Sequence, residues 1–207
     1  MSREKDGTPR VSRLGRDDVA QVTDVICDAF RDYPVMRYVL GEQNPEHERH
    51  LYTLVNFFVM SRVLRDEPIL GVVEGAELGA AAVASFPENE SPRELRALRE
   101  KVWAELGEEA RRRYERCGEV WKPLSVDVPN VHLNMIGVCQ ASQGRGLGRL
   151  LLEYVHDLSR RRPGSQGVTL TTEVASNVGL YEHMGYEVVG HAHISPELET
   201  WSMFRRD

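Results

Sequence analysis

The chain has 207 residues, three cysteines and a formal net charge of -6, with 41% hydrophobic and 28% charged residues. This is the balance of an ordinary globular protein with enough chain for its own core. It argues against a general nucleic-acid binder, which is usually basic, and no run of about 18 apolar residues is present to span a membrane.

In chain order, residues 1 to 10 read as a flexible lead-in that lacks the apolar stretch of a secretory signal. Val11 to Leu14 predict a short strand. Asp17 or Asp18 is then expected to cap a helix whose apolar residues Val19, Val22, Ile26 and Phe30 keep helical spacing, and Pro34 to break that run. "HERHLYTLVNFFVMSRVL", from His47, predicts a second helix, apolar at Leu51, Leu54, Val55, Phe58, Val59 and Leu64. "PILGVVE" and "ELGAAAVASFP" predict two strands joined by a hairpin turn at Gly75-Ala76. Glu88 to about Tyr114 is charged and helix-favouring, with apolar spots at Leu95, Leu98, Val102 and Leu106. It reads either as a solvated helix or as a helix pair over a cleft.

"VHLNMIGVCQ" predicts a strand that runs directly into "SQGRGLGRLL", Ser142 to Leu151. Leu147, Leu150, Leu151, Tyr154, Val155 and Leu158 then mark one face of a helix, which Pro163-Gly164 stops. "GVTLTTEV" is a further strand, Asn177 to Met184 a short helix ended by Gly185, and "YEVVGHAHI" and "TWSMFRR" an antiparallel finish. The pattern is α/β with a mixed sheet.

Gly144, Gly146 and Gly148 do not complete a dinucleotide fingerprint, because its last glycine would fall on Arg149 or Leu151, and no Gly-Lys-Ser/Thr closes a Walker loop. Small residues at a helix N-terminus still let successive N–H groups converge on an anion, with Arg145 and Arg149 adding charge. A tight turn without a ligand is the alternative.

"IGVCQASQGRGLGRLLL" resembles the acetyl-coenzyme A signature of the GCN5-related N-acetyltransferase (GNAT) superfamily, and "SNVGLYEHMGYEVVG" resembles that superfamily's asparagine and tyrosine segment. Together they cover residues 131 to 190. "AFRDYPVMRYVL", "HERHLYTLVNFFV" and "ETWSMFRR" are more loosely similar to the puromycin N-acetyltransferase-like branch, with the weakest likeness between Phe86 and Pro129. The resemblance implies a central mixed, mostly antiparallel sheet flanked by helices. It implies one domain over 11–207 with a helical insertion at about 88–125. Where the superfamily often has proline, this chain has Gln140, which is expected to leave the loop less rigid.

By the same resemblance, the cofactor is acetyl-CoA. Gln143, Gly144, Arg145, Gly146, Leu147, Gly148 and Arg149 would cradle its pyrophosphate, and its arm would lie along Ile136, Gly137 and Val138 as an added strand. Gly137 is expected to ease that approach, and a backbone N–H near Val138 to polarise the thioester carbonyl. Asn177 would bond the arm or, on its own position, serve as a helix N-cap. Tyr181 matches the tyrosine that faces the leaving thiolate. A reference phenol near ~10 lies about 1.5 units above a thiol, roughly 2 kcal/mol uphill, so a strong hydrogen bond with late transfer is favoured over early protonation.

Glu173 is the leading candidate for the base, or a plain carboxylate near a helix start; His132 comes second. His47 and His50 lack a third ligand, and His191 and His193 an acidic or thiol partner, so neither pair is expected to bind metal. The three cysteines suit a reducing cytoplasm, and none is placed as an acyl carrier.

The implied activity is direct acetyl transfer to the amine of a small molecule in a ternary complex, with no nucleic acid or membrane partner and a homodimer left open. A non-catalytic acyl-CoA-binding sensor or partner module is the alternative, and Tyr181 separates the two. A nucleotide-binding oxidoreductase is disfavoured by the failed fingerprint. Phe30, Tyr33, Tyr38, Phe57, Phe58 and Trp121 are available either to an acceptor pocket or to the core.

Overall fold

The computed structural model describes residues 9–75, 77–87, 89 and 91–207. Most of the lead-in (1–8), Ala76 of the expected turn and Glu88 at the start of the charged segment lie outside the described residues. Seven strands, β1 (Val11–Arg13), β2 (Ile69–Glu74), β3 (Glu77–Ser85), β4 (Val131–Val138), β5 (Gly167–Thr172), β6 (Glu187–Ser195) and β7 (Leu198–Arg206), form one sheet. Their order is β1-β2-β3-β4-β5-β7-β6, antiparallel throughout except for the central β4–β5 pair.

Both faces of this sheet are covered, which is why β2 and β3 read as continuous apolar runs rather than as alternating ones. Ile69, Ala81, Val83 and Met135 face a core shared with α1 (Val19–Phe30), α2 (Pro34–Leu40) and α3 (His47–Leu64). Leu70, Val72, Ala80, Ala82 and Ala84 face the other core, under α6 (Leu147–Arg161). The alanines of β3 are fully buried and let helices approach closely on both sides. Leu147, Leu151 and Val155 of the expected stripe are buried in α6 together with Leu152, while Leu150, Tyr154 and Leu158 are half-buried.

Several local readings are corrected. The run does break before Pro34, with α1 ending at Phe30, but Pro34 also opens α2 at its first turn, where its missing N–H is not needed. Asp18 leaves the first turn of α1 uncapped; its carboxylate instead accepts the Gly15 N–H at 2.8 Å, closing the short 3-10 turn Arg16–Asp18. The charged segment is a helix pair, α4 (Arg93–Leu106) and α5 (Glu108–Trp121), parted at Gly107, whose φ is +88°. Leu95, Val102, Trp103, Leu106, Ala110 and Cys117 bury one face of the pair against α2 and α3.

Gly137 is needed for packing. A Cβ there would stand 2.8 Å from Ala29 Cβ and 3.3 Å from Ile26 Cδ1, so glycine lets α1 lie directly on β4. Gly137→Val should therefore lower the unfolding free energy by about 1–3 kcal/mol, read by urea denaturation; an unchanged midpoint would show that α1 is not seated this way.

Candidate active site

The site begins with an irregularity in β4. On β3, Val83 pairs with Met135 and the next residue, Ala84, with Leu133, so Asn134 is an extra residue in β4. Such a bulge bends its strand. β4 and β5 pair over Val131–Leu133 and Val168–Leu170 only, and past that point the two strands part. The Cys139 N–H donates to Gly79 on β3 at 2.9 Å. By strand alternation, Gly137 also turns to β3, while Ile136 and Val138 direct their N–H and C=O groups into the gap on the β5 side.

A cavity of about 740 Å³ fills this gap and extends beneath α5. Ile136, Glu173, Asn177, Tyr181 and His132 all line it, so the structure brings these expected site residues together. Of the six aromatic candidates, Phe30, Tyr33, Phe58 and Trp121 line the cavity and Tyr38 and Phe57 do not. Tyr114, which sequence reasoning missed, lines it as well and packs on Trp103 with ring centroids 5.1 Å apart.

The glycine loop stands at the outer end of the gap, outside the cavity lining. Gly144 and Gly146 have φ of +76° and +79°, values that favour glycine. Among the described residues, the N–H groups of Gly144 to Arg149 have no protein acceptor; the neighbouring Gln143 and Leu150 N–H groups bond Gln140 and Gly146. Glu74 holds the loop from beneath, ion-paired to Arg145 at 2.8 Å and hydrogen-bonded to Ser142. Gly79 makes room for that contact, since a Cβ there would be 2.8 Å from Glu74 Oε2. Arg145 and Arg149 are both paired, the second with Glu153 at 2.8 Å. The donors the loop leaves free are thus mainly backbone. Gln140 does not loosen it: the N–H that proline would lack donates to Asp28 Oδ2 at 2.9 Å and ties the loop to α1.

At the inner end, Glu173 follows β5 and precedes α7 (Ala175–His183). Its carboxylate is buried, accepts the Thr200 hydroxyl at 2.7 Å, and has Trp121 and Tyr33 as further donors. Burial raises its pKa above the usual carboxylate range in spite of these donors. Tyr33 in turn accepts the Glu173 backbone N–H at 3.1 Å and lies 3.1 Å from the Thr172 hydroxyl. Burial, with the Glu173 charge adding to it, pushes Tyr181 up to about 12. Asn177 is not an N-cap; α7 starts two residues earlier, and the Asn177 amide donates to Thr172 Oγ1 at 3.3 Å from within the helix.

His132 Nδ1 lies 3.0 Å from Thr169 Oγ1, whose own proton goes to Asn130 Oδ1 at 2.7 Å. Nδ1 is therefore the protonated nitrogen, and burial beside Arg62 lowers the ring to about 4, leaving it neutral. The cysteines are protonated thiols, Cys27 and Cys117 raised by burial to about 12 and Cys139 raised in the same direction. None of the three lines the cavity. His47 bonds the Arg31 carbonyl at 2.8 Å, and His50 lies between Asn44 and Arg49. His191 does have an acidic partner, Glu199 at 3.0 Å across the β6–β7 ladder, which corrects the sequence expectation.

The site is a gap between parting parallel strands, with free backbone donors at its mouth and a buried acid and phenol at its floor. A model of the acetyltransferase (GNAT) domain family matches residues 99–188. Similar solved structures include a histone acetyltransferase HPA2 and related acetyltransferase from Corynebacterium glutamicum, 16% identical with TM-score 0.66, covering 96% of each chain. A Drosophila melanogaster polyamine N-acetyltransferase that forms N-acetylagmatine is also 16% identical, with TM-score 0.64 over 95% of this chain and 98% of its own. Arylalkylamine N-acetyltransferase 2 from Aedes aegypti is 17% identical, with TM-score 0.60 over 95% and 97%. At these identities the likeness is one of fold. Among curated proteins, none matches the sequence. The family match covers less than half of the chain, and the solved structures share its fold.

A carboxyl whose folded pKa is raised stabilises the fold at acid pH, and that contribution is lost as pH rises through the folded value. Glu173→Gln, which does not ionise, should gain stability relative to the wild type as pH increases from about 4 to about 8 in thermal unfolding. A constant offset between the two curves would contradict the assignment.

Proposed function

We propose that the chain is an acetyl-CoA-dependent N-acetyltransferase that moves acetyl to the amine of a small molecule by direct attack in a ternary complex. The observation that carries this reading is the pairing of unpaired loop N–H groups at the outer end of the β4–β5 gap with Glu173 and Tyr181 in the cavity that fills it. The free N–H groups from Gly144 to Arg149 suit a pyrophosphate, and Ile136 and Val138 offer strand pairing to an amide-bearing arm. Bound there, the cofactor supplies an activated acetyl thioester. The Val138 N–H, facing the gap, is placed to donate to its carbonyl oxygen.

Glu173 has the character of a proton acceptor for an ammonium: desolvation moves its pKa toward neutrality, where a general base is most effective. His132, neutral with its protonated nitrogen engaged by Thr169, is a second acceptor in the same cavity. Tyr181 near 12 lies roughly 3.5 units above a reference thiol, about 5 kcal/mol uphill, so it serves first as a hydrogen-bond donor to the leaving sulfur. The two groups are coupled. When Glu173 gains the amine's proton it loses the charge that helps raise Tyr181, and donation from the phenol becomes easier.

The cavity lining favours one class of acceptor. Among the described lining residues Glu173 is the one carboxylate, surrounded by Phe30, Tyr33, Phe58, Tyr114 and Trp121, with Arg62 and Lys122 also present. That suits a monoamine on an aromatic body, as the arylalkylamine enzyme's name describes, and disfavours a second ammonium, as in a polyamine. The looser similarity of the first helices and last strand to puromycin N-acetyltransferase-like enzymes points to the same kind of acceptor. A reducing cytoplasm fits the three free cysteines, and among the described residues no helix is long and apolar enough to cross a membrane.

A thiol-release assay with acetyl-CoA tests this directly. Arylalkylamines and aminonucleosides should turn over better than diamines. Tyr181→Phe should lower kcat about 10²-fold or more, and Cys139→Ala should retain activity. Coenzyme A binding with no turnover on any amine would instead favour a sensor, and loss of activity in Cys139→Ala a covalent route.

A further inference from the structure

We infer that the β6–β7 hairpin carries a binding site for a d-block divalent cation of the zinc or copper(II) kind, formed by His191, His193 and Glu199. His191 and His193 are two residues apart on β6 and therefore share a face. The pairing register sets Glu199 directly opposite His193, and Trp201 opposite His191. The ligating atoms of the three side chains all lie within 4.8 Å of one another, and His191 Nε2 is 3.0 Å from Glu199 Oε2.

A zinc ion holds such ligands at about 2.0–2.2 Å, hence about 3.4 Å from each other in a tetrahedral set. Both histidines are exposed and Glu199 is half-buried, so small side-chain rotations close the remaining distance. The backbone beneath pairs without a break from Gly190 to His193, between register shifts on either side, and the His191 ring is stacked on Trp201, centroids 5.0 Å apart and planes 14° from parallel. That stack holds one ligand in place before the ion arrives.

The donor set decides the cation. Two imidazoles and one carboxylate suit zinc, copper(II) or nickel, whereas magnesium and calcium call for oxygen ligands. Three protein ligands leave solvent to complete the coordination. The ion would stand apart from acetyl transfer, because Thr200 and Ser202, the residues of β7 that turn to Glu173 and the cavity, alternate with Glu199 and Trp201 along the strand. Its effect is to fasten the edge strand β6 to β7, the strand whose Thr200 positions Glu173.

The test is a calorimetric titration of the untagged, full-length protein with zinc, paired with copper(II) quenching of tryptophan fluorescence. Saturable binding of one ion per chain is expected in the micromolar range, with no competition from magnesium. His193→Ala and Glu199→Gln should each weaken it at least tenfold, and the double variant His191→Ala/His193→Ala should abolish it. Trp201→Phe should remove most of the quenched emission while leaving zinc binding in place. All these positions are outside the proposed catalytic machinery, so acetyl transfer by the metal-free variants should match the metal-free wild type and report intact folding. Absence of saturable binding, or binding unchanged in the double variant, would overturn the inference.

Discussion

The parting of β4 from β5 is the constraint on which the rest of this structure depends. Buried strands in the middle of a sheet normally satisfy one another's backbone groups. Here the pairing stops after Leu133 and Leu170, beside the bulge at Asn134. What is left is a slot whose walls are backbone donors and acceptors and whose floor is side chains. Asn134 is itself held by Arg62, whose guanidinium donates to Asn134 Oδ1 at 2.9 Å and pairs with the buried carboxylate of Glu67 at 3.2 Å. The opening is thus built by a specific network on the α3 side, not merely by a gap in the packing.

A second tension sits at the slot's inner end. A carboxylate out of water is unfavourable, and the fold offsets that only in part, with hydroxyl and indole donors from Thr200, Tyr33 and Trp121. These donors come from β7, from the turn before α2 and from the end of α5, so the helix pair α4–α5 is tied to Glu173 through Trp121. The carboxyl remains easier to protonate than one in water, which is the property a base for an ammonium needs. On the proposed function, stability and activity pull in opposite directions at this residue.

Much of this was legible in the sequence where neighbours in space are also neighbours in the chain. The glycine loop is contiguous, and so is the span from Glu173 to Tyr181, so spacing and resemblance singled out both segments, and the structure sets them at the two ends of the gap. The hairpin strands and α6 followed from apolar periodicity. The connection between the ends was not visible, because Asn134 looks like any polar strand residue until its partners on β3 are known. The same holds for Asp28 bonding Gln140, for Ala29 dictating glycine at 137, and for Glu199 facing His191. The first two join distant segments and the third depends on hairpin register, and none has a local signature. Tyr114 was hidden for another reason: the charged composition of α5 masks the one face it buries.

Amide hydrogen exchange with and without coenzyme A tests the central claim, that the unpaired donors of the slot and loop are the cofactor's partners. Binding should slow exchange at Ile136 and Val138 and from Gly144 to Arg149, while Gly137, already directed to β3, stays as it was. Protection that leaves these amides unchanged, or that falls equally on Gly137, would contradict the account.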